Sequence, residues 1–346
     1  MAKIVIIGGG FTGSLCTKKL QKDFEVTLID TKDYFEFTPG ILRTIVEPHH
    51  INSVQIRHRD YFKNGRLVIG EVEEVTKDKV ILDDEKIEYD YLIVASGSRY
   101  ELPIKEQRVL LSHRAHTLFQ NHENLEASNY VLIVGGGITG VELASEIAEK
   151  YDEKDVTLVH SRKELMNRYD EAVSRYGKNF LEKKGVNLVL GERVVAGKNN
   201  EFQTKKGKTI KTDLAFMCTG IKPNYEFMKN NFSGQLSKNN YLRVNKHFQL
   251  ESYNNIFVGG DIAATKEEKA AQNAEKHAKV IVKNIKRMAK GKKLKKYVPK
   301  KRPMVISLGK YKGIFTYKMF VLNGIIPAFM KKFIEWKTMF KYKFSL

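Results

Sequence analysis

Two stretches of the chain carry the same chemical arrangement. KIVIIGGGFTG near the amino end and VLIVGGGITGVE from position 131 each set a run of β-branched residues before Gly-x-Gly-x-x-Gly. The glycines are Gly8, Gly10 and Gly13 in the first copy and Gly135, Gly137 and Gly140 in the second. The pattern predicts a strand, a tight turn and a helix whose first amides point at a pyrophosphate. The first glycine makes the turn, the second lets phosphates approach the backbone, and the third lets helix and strand pack closely. After the first copy, FEVTLID predicts a second strand ending in Asp30, 17 residues beyond Gly13. A carboxylate there meets a ribose hydroxyl. After the second copy, the strand KDVTLVHS ends in His160, Ser161 and Arg162 instead of an acid. That end does not repel a 2′-phosphate; Arg162 either pairs with one or is a solvated loop charge.

The elements that must hold these groups follow in order. Between the two fingerprints the chain reads as several strands, with turns at Asn64-Gly65 and Lys77-Asp78, closing on a strand from Tyr91 to Ala95 and the turn Ser96-Gly97-Ser98. Beyond a helical stretch through Leu181 come short strands, then TDLAFMCTGIKPN with Gly220, then YNNIFVGGDIA, a strand ending at Gly260-Asp261 and leading to a helix from about Lys269. A carboxylate at the carboxyl end of a strand sits where open α/β sheets bind ligands. The predicted fold is α/β: two Rossmann-like dinucleotide-binding domains, the second inserted in the first, with a C-terminal α+β segment. The expected divisions are 1–112 and 245–292 for the first domain, 113–244 for the second and 293–346 for the tail.

A chain of 346 residues has room for two or three domains. No secretory or transit signal is visible, and the best spanning candidate, GIFTYKMFVLNGIIPAFM, is broken by Lys318, Asn323 and Pro327. Cys16 and Cys218 stand far apart and form no Cys-x-x-Cys pair, and His113 and His116 are the nearest approach to a metal spacing, so no metal site is expected. The net charge of +20 is local: 21 of the 60 Lys and Arg, but one of the 40 acids, lie from Lys276 onward, leaving 39 of each sign before it. A basic surface confined to the tail wants an anionic partner. Within it, IIPAFMKKFIEWKTMFKYKF predicts a cationic amphipathic helix with Phe329, Phe333, Trp336 and Phe340 on one face and Met330 and Ile334 beside them. Such a helix either lies on an anionic bilayer or packs on the protein's own body or a dimer partner.

Together the two fingerprints, YDYLIVASGS, MCTGIKPN and IFVGGDIA resemble the two-dinucleotide-binding flavoprotein family of pyridine-nucleotide oxidoreductases, over roughly residues 1–290. Two branches are most similar: the type II NADH:quinone oxidoreductases and the ferroptosis-suppressor branch of the apoptosis-inducing-factor-like flavoproteins. GVELASEIAEKY, DVTLVHS, LRVNKHFQLESYNNIFVGGDIA and EWKTM favour the second. The resemblance implies FAD held at one fingerprint and NADH or NADPH received at the other. It assigns Gly8, Gly10, Phe11, Thr12 and Gly13 to the FAD pyrophosphate turn, Asp30 to the adenosine ribose, Arg43 and Val72 to the flavin nucleotide, and Asp261 to the ribityl chain. The helix opening at Ala270, Ala271 and Gln272 would aim its amides at the flavin, and Glu142 resembles a glutamate near nicotinamide and flavin. The chain departs from its relatives in lacking a Met-Gly start for myristoylation, in keeping the flavin-facing pattern only as Ala271-Gln272-x-Ala274, and in having no cysteines suited to sulfide oxidation; Cys16 and Cys218 read as buried thiols.

The expected activity is hydride transfer from NAD(P)H to FAD and two-electron reduction of a membrane quinone, with Gln272 near the acceptor and Lys331 or Lys332 holding a quinone oxygen or supplying a proton. The expected location is cytoplasmic, peripheral on the inner face of a membrane, with an anionic lipid surface as partner and a homodimer possible in place of lipid contact. The alternatives are a soluble reductase for ferredoxin or rubredoxin, and a nucleotide-sensing flavoprotein that binds nucleic acid through KNIKRMAKGKKLKKYVPKKR.

Overall fold

The computed structural model describes residues 1–83, 85–99, 113–198 and 200–344; the expected boundary at 112/113 lies at the edge of a stretch outside them. In chain order the site-forming elements are β1 (Lys3–Ile7), α1 (Phe11–Leu20), β2 (Glu25–Asp30), β3 (Arg66–Ile69), β4 (Tyr91–Val94), β5 (Tyr130–Val134), α2 (Ile138–Lys150), β6 (Asp155–His160), β7 (Asn187–Leu190), β8 (Leu214–Met217), β9 (Ile256–Val258) and α3 (Ala271–Met288). A carboxyl-terminal unit follows, with β10 (Met304–Leu308), β11 (Lys312–Tyr317), β12 (Phe320–Gly324) and α4 (Ile325–Lys343).

β9, β4, β1, β2 and β3 form one parallel five-stranded sheet, and β7, β6, β5 and β8 form a parallel four-stranded one. The strands of the second sheet all lie between β4 and β9 in sequence, so the second nucleotide fold interrupts the first. Ile4, Ile6, Leu28 and Ile93 are buried with Leu15, Leu20, Ile281 and Ile285 of α1 and α3, which cover one face of the first sheet. Near-continuous runs such as KIVII and YVLIV form strands because both faces of a parallel sheet are covered. The two crossings between the sheets are tied together: Ser98–Arg99 pairs antiparallel with Lys222–Pro223, and Asn224 Nδ2 donates to the Ser96 carbonyl at 2.8 Å.

The tail forms an antiparallel meander of β10, β11 and β12 before α4. Lys318 and Asn323 thus fall in a hairpin and a strand, and Pro327 in the first turn of the helix, where it is tolerated. Among the described residues no helix is long and apolar enough to cross a membrane.

Candidate functional site

A cleft of about 1420 Å³ runs between the carboxyl ends of the two parallel sheets. It exceeds the ~300–1,000 Å³ usual for one small ligand and suits two dinucleotides. At the first turn Gly8 has φ +96°, and a Cβ on Gly13 would stand 1.8 Å from the Gly8 carbonyl oxygen, so only glycine lets α1 lie this close to β1. Gly140 meets Gly135 at the same 1.8 Å. A Cβ on Gly10 or Gly137 would instead meet nothing within 4 Å among the described residues. These positions face the cleft, where a ligand's phosphates need the space. Gly10 and Gly137 are the N-caps of α1 and α2, and neither cap offers a side-chain hydrogen bond to the helix, which leaves the first amides for an anion. The cradle therefore fits a bound pyrophosphate at both copies.

Asp30, at the end of β2, lines the same cleft. Burial works to raise its pKa, but the hydrogen bond from His58, then the charges of Lys32 and His58 and the Thr31 amide, hold the carboxyl below its usual range. Asp261 lines the cleft from the turn after β9 and accepts from Ser98 Oγ at 2.8 Å. Ala271 and Gln272 line it at the amino end of α3, and Gln272 Nε2 is fixed by the Pro303 carbonyl at 2.6 Å. Thr12 Oγ1 donates to the Ala274 carbonyl at 3.0 Å, joining α1 to α3, and Phe11 packs edge-on against Phe35 and Phe37.

Glu142 and Lys331, 189 positions apart, meet in the cleft wall with Lys331 Nζ 2.7 Å from Glu142 Oε1. The same oxygen accepts from the Ser307 amide at 2.8 Å and from Ser307 Oγ at 3.0 Å. Gly220 and Ser161 also line the cleft.

Three of the expected contact residues lie outside the cleft lining. Arg43 does not line the cleft; its Nε and Nη2 stand 3.2 and 2.9 Å from the Glu146 carboxylate on α2, and Nη2 also donates to Gly309. Its fork therefore joins the first domain to the second and to the tail. Val72 lies in the buried cluster that holds Ile7 and Ile29, away from the cleft lining. Arg162 is exposed beside the cleft and outside its lining, whereas Arg168 and Arg193, which spacing did not single out, do line it. Register explains part of this. Ile7 pairs with Ile29 and Val134 with Val159, so the counterpart of Asp30 in the second fold is His160, whose Nδ1 accepts from the Gly136 amide at 3.1 Å. Lys269, another lining residue, has its ammonium pKa lowered by burial. Both cysteines are buried and burial pushes both thiols far up, so neither offers a thiolate.

The fold and these two phosphate cradles, opposed across one cleft with an acidic strand end on one side only, define a protein built to hold two dinucleotides facing one another. Residues 2–278 match the pyridine nucleotide-disulphide oxidoreductase family, and the chain belongs to it. It is an FAD-dependent NAD(P)H oxidoreductase. Among its relatives are ferroptosis suppressor protein 1 of Taeniopygia guttata, 33% identical over 97% of this chain and 95% of the relative, and apoptosis-inducing factor homolog B of Dictyostelium discoideum, 31% identical over 98% and 94%. The fold is also that of NDH2 from Plasmodium falciparum in complex with NADH, with a TM-score of 0.83 at 16% identity over 99% of this chain and 96% of that one.

Proposed function

We propose that this oxidoreductase takes its acceptor, a quinone, from an anionic bilayer on which α4 lies. One observation carries the reading: α4 lines the cleft with Met330, Lys331, Ile334 and Thr338 while it turns Phe329, Phe333 and Trp336 outward, each more than half exposed. Its polar face points inward, with Lys331 on Glu142, Glu335 on His50 and Lys341 on Glu275 at 2.7, 3.3 and 2.9 Å. Water would select the reverse orientation, so the outward face wants an apolar cover. Ile325, Ile326, Met319 and Phe320 of the tail are also more than half exposed, and Lys318 and Lys337 are exposed in the same segment. Anionic lipid suits this charge, whereas a second copy, also at +20, would repel it.

In this reading residues 1–112 and 245–292 hold FAD, residues 113–244 receive NAD(P)H and residues 293–346 meet the membrane. FAD supplies a ring that accepts a hydride and passes on two electrons. The amino end of α1 and the open face of Gly10 bind its pyrophosphate, Asp30 takes the ribose and Asp261 the ribityl chain. The amino end of α3 at Ala271 and Gln272 directs its partial positive charge into the cleft. Glu142 orients Lys331, and Lys331 offers a proton toward the acceptor side of the cleft, which Phe315 and Met304 of the tail sheet also line. Ser161 and His160 close the nicotinamide nucleotide's ribose site without an acid, which admits NADPH beside NADH.

The test is turnover with NADH against quinone in anionic vesicles, quinone in neutral vesicles and a soluble acidic carrier. Faster turnover on anionic vesicles, lost in high salt, supports the reading. Reduction of the soluble carrier with no quinone turnover in either vesicle would replace it with a soluble reductase.

A further inference from the structure

A chain of buried polar groups runs behind the first phosphate turn, and its hydrogen-bond directions are fixed at one end. The Gly9 carbonyl can only accept, so Ser14 Oγ, 2.5 Å away, donates to it. Ser14 has no second proton, so the Tyr61 hydroxyl at 2.7 Å donates to Ser14. The Tyr61 oxygen also stands 2.5 Å from His58 Nδ1, which fixes the plane of the ring. On the other side of the ring, His58 Nε2 lies 3.0 Å from Asp30 Oδ2. A carboxylate only accepts, so this nitrogen donates to it.

The surroundings suit this pair. His58 is fully buried and the Asp30 side chain nearly so, and Asp30 Oδ1 takes the Thr31 amide at 2.8 Å. Burial pushes the Tyr61 hydroxyl far up, so Tyr61 keeps its proton. Tyr342, at the carboxyl end of α4, covers Tyr61 with ring centroids 5.3 Å apart and closes the relay from solvent. A Cβ on Gly9 would stand 2.4 Å from both Asp30 Oδ2 and His58 Nε2, so this pair leans directly on the phosphate turn. The middle glycine of GGG answers to this pair.

We propose that His58 is a positioning residue for the adenosine end of the cofactor: it donates from Nε2 and fixes the Asp30 carboxylate against the turn, aimed at the ribose. This rests on the reading that the first fingerprint holds FAD with Asp30 at its ribose. Tyr61 and Ser14 set the ring's orientation, and Asp30 makes the contact.

Dissociation constants of FAD and of its 2′-deoxyadenosine analogue, measured by flavin fluorescence on apoprotein, decide between the two layers. Wild type should prefer FAD by about ten- to a hundredfold, the range for one hydrogen bond to a charged group. Asp30→Asn and His58→Phe should both erase most of that preference, chiefly by weakening FAD. A general structural loss would weaken both ligands equally, and preference intact in His58→Phe but lost in Asp30→Asn would overturn the role of His58. No preference in wild type would remove the ribose reading itself and the proposal with it. If His58→Phe does not fold, Tyr61→Phe should lower the preference, and a long-range 15N–1H spectrum of histidine-labelled wild type should show the His58 Nε2 carrying a proton. An unprotonated Nε2 would overturn the proposal.

Discussion

Changing Phe333, Trp336 and Phe340 together to Ser separates membrane contact from body packing. The three are 57%, 58% and 37% exposed in the free protein. Their rings stack on one another, with centroids 5.8 Å apart for Phe333 and Trp336 and 5.3 Å for Trp336 and Phe340. None of the three lines the cleft or belongs to the main core clusters. Full burial of such a side chain is worth about 1.5–3 kcal/mol, so covering the exposed half of each gives about 1 kcal/mol, or about 3 kcal/mol for the three. Removing that weakens partition onto vesicles roughly a hundredfold. Folding should suffer far less. No core cavity opens, and serine has nearly the same helix propensity as the Phe and Trp it replaces. The assay is flotation with anionic vesicles, beside melting temperature and flavin absorbance. Expected are lost flotation, retained yellow colour, preserved turnover with a water-soluble quinone and a melting point lower by only a few degrees. Flavin release with a collapse in melting temperature would show that this face packs on protein, and unchanged flotation would refute hydrophobic insertion and leave the lysines as a salt-sensitive contact. Tyr342→Ala provides the contrast: it removes a fully buried ring packed against Phe35 and Tyr61 and should cost about 3–5 kcal/mol.

Gly10→Val should yield a folded, colourless protein, because its side chain enters open cleft space, whereas Gly13→Ala should lower stability because its Cβ strikes the Gly8 carbonyl; flavin absorbance and thermal melts distinguish them. Ser161→Glu should reduce kcat/KM for NADPH by about tenfold or more through repulsion of the 2′-phosphate while sparing NADH, and an equal loss for both would place the ribose elsewhere. Lys331→Met should leave flavin reduction by NADH intact in stopped flow and slow reoxidation by quinone; slowed reduction instead would assign Lys331 to the nicotinamide side. Because the folded pKa of Asp30 lies below its unfolded value, its ionisation stabilises the native state above the unfolded pKa, and that contribution is lost as pH falls through the folded one. Asp30→Asn should therefore flatten the acid limb of a stability-versus-pH profile, measured by denaturant melts between neutral pH and the acid transition.

What could be read from sequence is what local spacing determines. The phosphate turns, Asp30 and Asp261 sit at strand ends where the chain itself reverses, so a few adjacent residues identify them. Arg43 could not be read this way: its partner Glu146 is 103 positions away, and only the packed structure shows that the guanidinium is already engaged. His58 and Tyr61 lie in IRHRDYF, within the stretch that reads from sequence only as strands and turns, yet both are buried, and Tyr342 packs on Tyr61 from the far end of the chain. Amphipathicity of the last helix was legible, since it depends only on periodicity. Which face points outward was not, because that depends on carboxylates supplied by other elements.

Those carboxylates give α4 its wider meaning. Lys331 reaches α2 through Glu142, and Lys341 reaches α3 through Glu275, so one helix is fixed to both cofactor-side helices. Arg43 and Ser307 reinforce the same junction from the first domain and the tail sheet. To bury its aromatic face on the body, α4 would have to rotate and break these pairs, leaving Glu142, only 5% exposed, without its cation. Stranding a buried charge in that way costs about 3–5 kcal/mol, comparable to what the three rings would gain by insertion. An apolar cover from outside gains that energy without the rotation. If a bilayer supplies that cover, the cleft can keep one shape on and off it, and an acceptor entering from that side would meet a lining that includes Ile334 and Thr338 with Lys331 already in place.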